Sequence, residues 1–203
     1  MIHKFHRLSA LIIGSFVVAH LINHLFILGG AQFHIEFMDT LRVVYRNLIV
    51  ETILLACVLF QVGSGTYFVW KRRGQRSGFL EKAQAISGLY LAFFFLNHVG
   101  AVLFGRHIAE LDTNIFYGIA GFYTAPFFLF FVPYYFLAVV AFFVHIACAV
   151  NWLSRNALPN TQRRRLAYSI IAFGLVFSVL LMLGFNGVFS NIVIPQEYSR
   201  LYE

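Results

Sequence analysis

The chain has 203 residues, of which 60% are hydrophobic and only 11% charged, with a mean hydropathy of +0.77. Soluble domains carry about 25% charged residues, so this composition excludes an ordinary water-soluble fold and points to a multi-pass membrane protein. The net charge of +7 comes from Lys and Arg flanking apolar runs, which fits membrane topology and argues against nucleic acid as a partner.

Five apolar runs, near 8–29, 47–70, 83–105, 128–153 and 166–189, each reach the roughly 20 residues that cross a bilayer. They use up the chain, so 1–203 reads as one membrane domain with no separate soluble catalytic part. Inside lipid every backbone group needs an internal partner, so the spans are helices unless they form a closed barrel. LAFFFLNHVG and FFLFFVPYYFLAVV lack the polar–apolar alternation of barrel strands. The predicted fold is therefore an all-α bundle of five transmembrane helices. The first run, which contains His20 and His24, is too long for a signal-peptide core and reads as a retained anchor.

Between the first two spans, GGAQFHIEFMDT is partly apolar, as is IFYGIAGFYTAP between the third and fourth. Both suit helices lying at the headgroups. Pro133 falls in the first turns of span four, where a missing N–H costs little. The loop after span two carries Lys71, Arg72, Arg73, Arg76 and Lys82, and the loop after span four Arg155, Arg163, Arg164 and Arg165. The positive-inside rule then puts the N-terminus in the cytoplasm and the C-terminus outside. Arg42 and Arg46, in the first outer loop, run against this pattern. Cys57 and Cys148 lie inside spans as small buried hydrophobes, and no C-x-x-C-H is present to attach a haem covalently.

Imidazole is costly in hydrocarbon, so an intramembrane His is by default a candidate functional residue. His24 lies seventeen residues beyond Arg7 and His98 sixteen beyond Lys82. At 1.5 Å of rise per residue both sit roughly 25 Å from the inner boundary. Two imidazoles facing each other at one depth are what a six-coordinate haem iron requires. Gln61 lies ten residues before Lys71, and His145 ten before Arg155, making a second layer roughly 15 Å in and about 10 Å from the first. Gln61 is a poor haem ligand, so His145's partner stays open, with His6 a distant alternative. His20, one turn below His24, reads as its support. His3, His6, His34 and His107 read as boundary or surface residues. The small residues Gly63, Ser64 and Gly65 after Gln61, and Ser87 and Gly88 before His98, either make room for a macrocycle or let helices approach.

These stretches resemble the five-helix, two-haem cytochrome b subunit of succinate dehydrogenases and fumarate reductases. HRLSALIIGSFVVAHLINHL, FMDTLRVVY, QVGSGTY, QAISGLYLAFFFLNH and FFVHIACAVNW occur in that family's order and spacing over most of the chain. The resemblance implies a multi-pass protein of the inner (cytoplasmic) membrane. It implies that His24 and His98 are axial ligands of a distal haem b and that His145 ligates a proximal one; Gln61 departs from the family at the second proximal ligand. Flavoprotein and iron–sulfur subunits would dock on the basic cytoplasmic face, and electrons would exchange with a membrane quinone, menaquinone or ubiquinone. Glu36, Asp39, Glu51 and Gln61 are candidates for lining a quinone site. The chain has no flavin or iron–sulfur motif, so it would not oxidise succinate alone. A free-standing quinone-linked cytochrome b is the alternative, and a non-redox scaffold with structural histidines the next.

Overall fold

The five apolar runs are five long helices in the computed structural model, which describes residues 1–203 and contains no strand. These are α1 (Ile2–Leu25), α3 (Leu48–Lys71), α4 (Phe79–His107), α6 (Phe128–Leu153) and α7 (Asn160–Phe185), joined by the shorter α2 (Ala31–Tyr45), α5 (Ile115–Ile119) and α8 (Gln196–Ser199). The five long ones are apolar enough and long enough to cross a membrane. The two amphipathic loops thus contain α2 and α5. Helix ends follow local chemistry rather than hydropathy. Asn47 Oδ1 accepts from Ile49 N at the start of α3, and Glu81 reaches back to the Ser77 and Gly78 amides at the start of α4, as N-terminal caps do. α1 starts at Ile2, and α7 runs from Asn160 only to Phe185, short of the 189 that hydropathy suggested.

α6 packs along both α4 and α7, and α3 bridges α1 to α4. α6 and α7 approach closely because Gly174 has no side chain: a Cβ there would overlap Phe143. The buried apolar core gathers Leu21 and Ile27 with Ile119, Phe142, Leu181 and Phe185. α1 and α4, by contrast, hardly meet backbone to backbone. The interior between them is spanned by side chains, and those side chains are histidines.

The two ends of the bundle differ sharply in charge. The N-terminus lies beside the end of α3, where His3 stacks on Phe68 at 4.2 Å, while Tyr198 near the C-terminus bonds Asn114 before α5 at the other end. The N-terminal end carries Lys4, Arg7, Lys71, Arg72, Arg73, Arg76, Lys82, Arg155, Arg163, Arg164 and Arg165, with Glu81 as its one acid. None of these is in an ion pair; all four salt bridges lie at the opposite end. There Arg42 pairs with Asp39 (3.0 Å) and Asp112 (2.8 Å), Arg46 reaches Asp112 (3.7 Å), and Arg106 binds Glu51. The two arginines that disturbed the positive-inside pattern are therefore neutralised by carboxylates.

Candidate functional site: histidines at two depths

The deeper layer, nearer the N-terminal end, joins α1, α3, α4 and α6. Ser64 Oγ donates to the Phe60 carbonyl (2.6 Å), so towards His6 Nδ1, 2.7 Å away, it accepts. His6 therefore carries its proton on Nδ1 and a lone pair on Nε2. His145 Nδ1 lies 3.2 Å from the Gln84 carbonyl, which only accepts, and 3.2 Å from Ser87 Oγ. His145 is thus fixed in the same tautomer, again with Nε2 as the lone pair. Gly88 makes room for it: an added Cβ would stand 3.0 Å from His145 Cε1. Gln61 does not face His145; its Nε2 donates to the His6 carbonyl and to Ser9 Oγ (2.8 Å). The imidazole of α1 that accompanies His145 in this layer is His6, a half-buried residue rather than a surface one.

The second layer joins α1, α2 and α4. Asn23 Nδ2 donates to His34 Nε2 (3.2 Å), so that nitrogen holds a lone pair. His24 Nδ1, 3.0 Å from the same nitrogen, must then donate to it. His24 consequently keeps its own lone pair on Nε2, to which His20 Nε2 donates at 3.0 Å. His98 stacks on Phe94 (centroids 5.0 Å) and meets His20 at 6.1 Å between ring centres. His20 thus lies against both His24 and His98. It is the ring of His20, and not that of His24, that comes nearest His98.

His34 is the residue that the sequence concealed. Placed at the surface by its polar surroundings, it is only 1% exposed. Burial, and then the charge of Arg42, lowers its pKa to about 4, so it is neutral at physiological pH and able to accept from His24. The detectable signal is the spacing of Ala31, His34, Ile35 and Met38, one stripe along α2. The layers are also further apart than charge counting suggested. Ser87 to His98 is roughly 16 Å along α4, and His6 to His20 roughly 21 Å along α1. The reference charges do not share one level: Ser87, which meets His145, follows Lys82 closely, whereas His145 lies well before Arg155.

The donor chemistry suits haem b. Axial ligation requires two imidazole lone pairs on facing helices; His6 and His145 direct theirs at the inner depth, while at the outer depth His20 engages that of His24. His6, His20, His24, His98 and His145 lie within the bundle, and each keeps some accessible surface. For His24 to hold haem with His98, its Nε2 would have to give up the contact with His20. No three His, Cys, Asp or Glu side chains converge to hold a bare metal ion; a haem needs only two.

The carboxylates singled out from sequence do not converge. Glu36 is exposed and receives a bond from Gln32 (3.3 Å), Asp39 is engaged by Arg42, and Glu51 by Arg106. An apolar cleft of about 290 Å³ does open between α1 and α3, lined by Phe5, Ile12, Ile53, Cys57 and Phe60 with Ser9 in its wall. Gln61, bonded to that serine, adjoins it. No family model, curated protein or solved structure matches this chain.

Proposed function

We propose that this chain is a membrane b-type cytochrome that carries electrons between an inner-face partner and membrane quinone. By resemblance it is the haem-bearing anchor of a succinate:quinone or quinol:fumarate oxidoreductase. The single observation that carries the reading is the tautomer pattern. His6, His24 and His145 each have Nδ1 committed to an acceptor, so each directs the Nε2 lone pair that ligates iron. Hydrogen bonding alone would not require the same choice at three sites on two helices.

In this reading His24 and His98 hold one haem and His6 and His145 the other, with Gln61 bracing His6 through its carbonyl. His20, whose Nε2 bears a proton, is the neighbour and not the ligand. Haem iron, when bound, supplies one-electron chemistry. The protein's contribution is to orient the imidazoles, keep water away from them and set two stations across the membrane. The cleft beside Ser9 and Gln61 is the quinone slot, with hydroxyl and amide groups at its polar wall.

The unpaired cations at the N-terminal end favour the cytoplasm for that end. They suit docking of acidic surfaces on iron–sulfur and flavoprotein subunits. A pyridine-haemochrome assay on the purified chain tests the reading: two haems per chain are expected. Zero overturns the cytochrome, and one overturns the inner pair or the outer. Purification from native membranes with two larger soluble subunits separates the anchor from a free-standing cytochrome.

A further inference from the structure

We infer that His34, with Asn23 behind it, is the positioning residue that fixes the tautomer and ring plane of His24; the inference rests on the cytochrome reading above. α2 lies outside the five long helices, and only His34 and Met38 along it are buried, yet it drives one imidazole almost wholly out of contact with solvent. Two buried polar atoms in this contact, Asn23 Oδ1 and His34 Nδ1, have no partner. Leaving such atoms unsatisfied is unfavourable, and an apolar pair would avoid it. The contact therefore makes sense through what it dictates and not through the stability it adds.

What it dictates is direction. The Asn23 amide donates into His34 Nε2, and that nitrogen has only a lone pair to offer His24. His24 must present Nδ1–H, leaving Nε2 unprotonated and aimed back into the bundle. A ring without this tether is free to take the opposite tautomer, in which Nε2 carries hydrogen and cannot bind iron. Donation from Nδ1–H also raises the basicity of the ligating nitrogen and favours ferric over ferrous iron. Phe185, perpendicular to His24 at 5.1 Å between centroids, restricts the ring's tilt but cannot choose a tautomer.

The test uses the full-length protein with His34→Leu, His34→Gln and Asn23→Leu. His34→Leu is expected to weaken outer-layer haem binding by roughly 10–100-fold and to raise that haem's midpoint potential. A roughly tenfold change in ferric preference corresponds to about 59 mV for one electron. Its low-spin electron paramagnetic resonance signal should broaden. His34→Gln, whose side-chain oxygen can accept from Nδ1–H, should restore both readouts, and Asn23→Leu should shift them in the direction of His34→Leu by less. If His34→Leu keeps the wild-type potential and resonance, the inference is wrong. Solid-state nitrogen NMR of histidine-labelled, haem-free protein in bilayers covers the case in which no haem binds at all. That outcome ends the cytochrome reading, while a His24 Nδ1–H signal lost in His34→Leu would still support the tether. An unchanged tautomer would overturn it.

Discussion

Replacing Gly88 by Ala sets two calculable effects against each other. Alanine is favoured over glycine within a helix by about 1 kcal/mol, so α4 alone gains. The new methyl, however, stands 3.0 Å from His145 Cε1 and 3.3 Å from Nδ1, where ordinary contact begins at 3.4 Å. The ring has to retreat by about 0.4 Å, and its bonds to Gln84 and Ser87, already 3.2 Å, stretch to about 3.6 Å, beyond useful hydrogen bonding. Each lost bond removes about 0.5–1.5 kcal/mol. Losing both bonds against the helix gain leaves the fold about 0–2 kcal/mol less stable than wild type, while His145 loses its fixed tautomer. The assay pairs thermal unfolding in detergent with haem-to-protein ratio and low-spin resonance. Expected is a cooperative melting curve with at most a small downward shift, a weakened inner signal and an intact outer one. A Gly88→Ala protein with both signals at wild-type strength would refute the cradle described for His145.

Gly174→Ala should act oppositely, on the fold itself. The added carbon overlaps Phe143 at its Cβ, which rotation cannot move, so α6 and α7 must separate at a cost of about 1–3 kcal/mol; equal unfolding midpoints would contradict that close approach. His24→Ala is expected to abolish the outer low-spin signal, whereas His20→Ala leaves it in place, and the reverse result would transfer the ligand role to His20. His6→Ala should remove the inner signal alone, read as a loss of one haem per chain, while an unchanged ratio would exclude His6. Asp112→Asn leaves Arg42 with Asp39 alone and Arg46 without a carboxylate; it should lower stability by about 1 kcal/mol, as expected of a half-exposed pair, and added salt should shrink the difference between mutant and wild type.

The long helices were legible because lipid imposes one rule on every residue of a span: apolar runs of sufficient length become helices. Their ends were not, because caps such as Asn47 and Glu81 act through single hydrogen bonds that hydropathy does not register. The same contrast divides the histidines. His24, His98 and His145 stood out against apolar neighbours. His6 and His34 are flanked by Lys4 and Arg7, and by Gln32 and Glu36, so composition masked them. Their roles lie in periodicity: His6, Ser9 and Ile13 follow one another on one face of α1, as His34 and Met38 do on α2. Counting set Gln61 level with His145 but could not show that its amide bonds the His6 carbonyl and Ser9. The partners Ser64, Ser87 and Asn23 are small polar residues whose importance appears only when a ring lies against them.

The charge pairs at the C-terminal end bear on how the protein is made. Arg42 and Arg46 leave the ribosome well before Asp112, the acid that pairs with both. While the first hairpin is entering the membrane, they oppose the weak bias of Lys4 and Arg7. The five cations from Lys71 to Lys82 are then the first strong asymmetry that the insertion machinery meets. In the proposed orientation the second loop settles the topology late, and Arg42 and Arg46 are neutralised only when Asp112 folds back onto them.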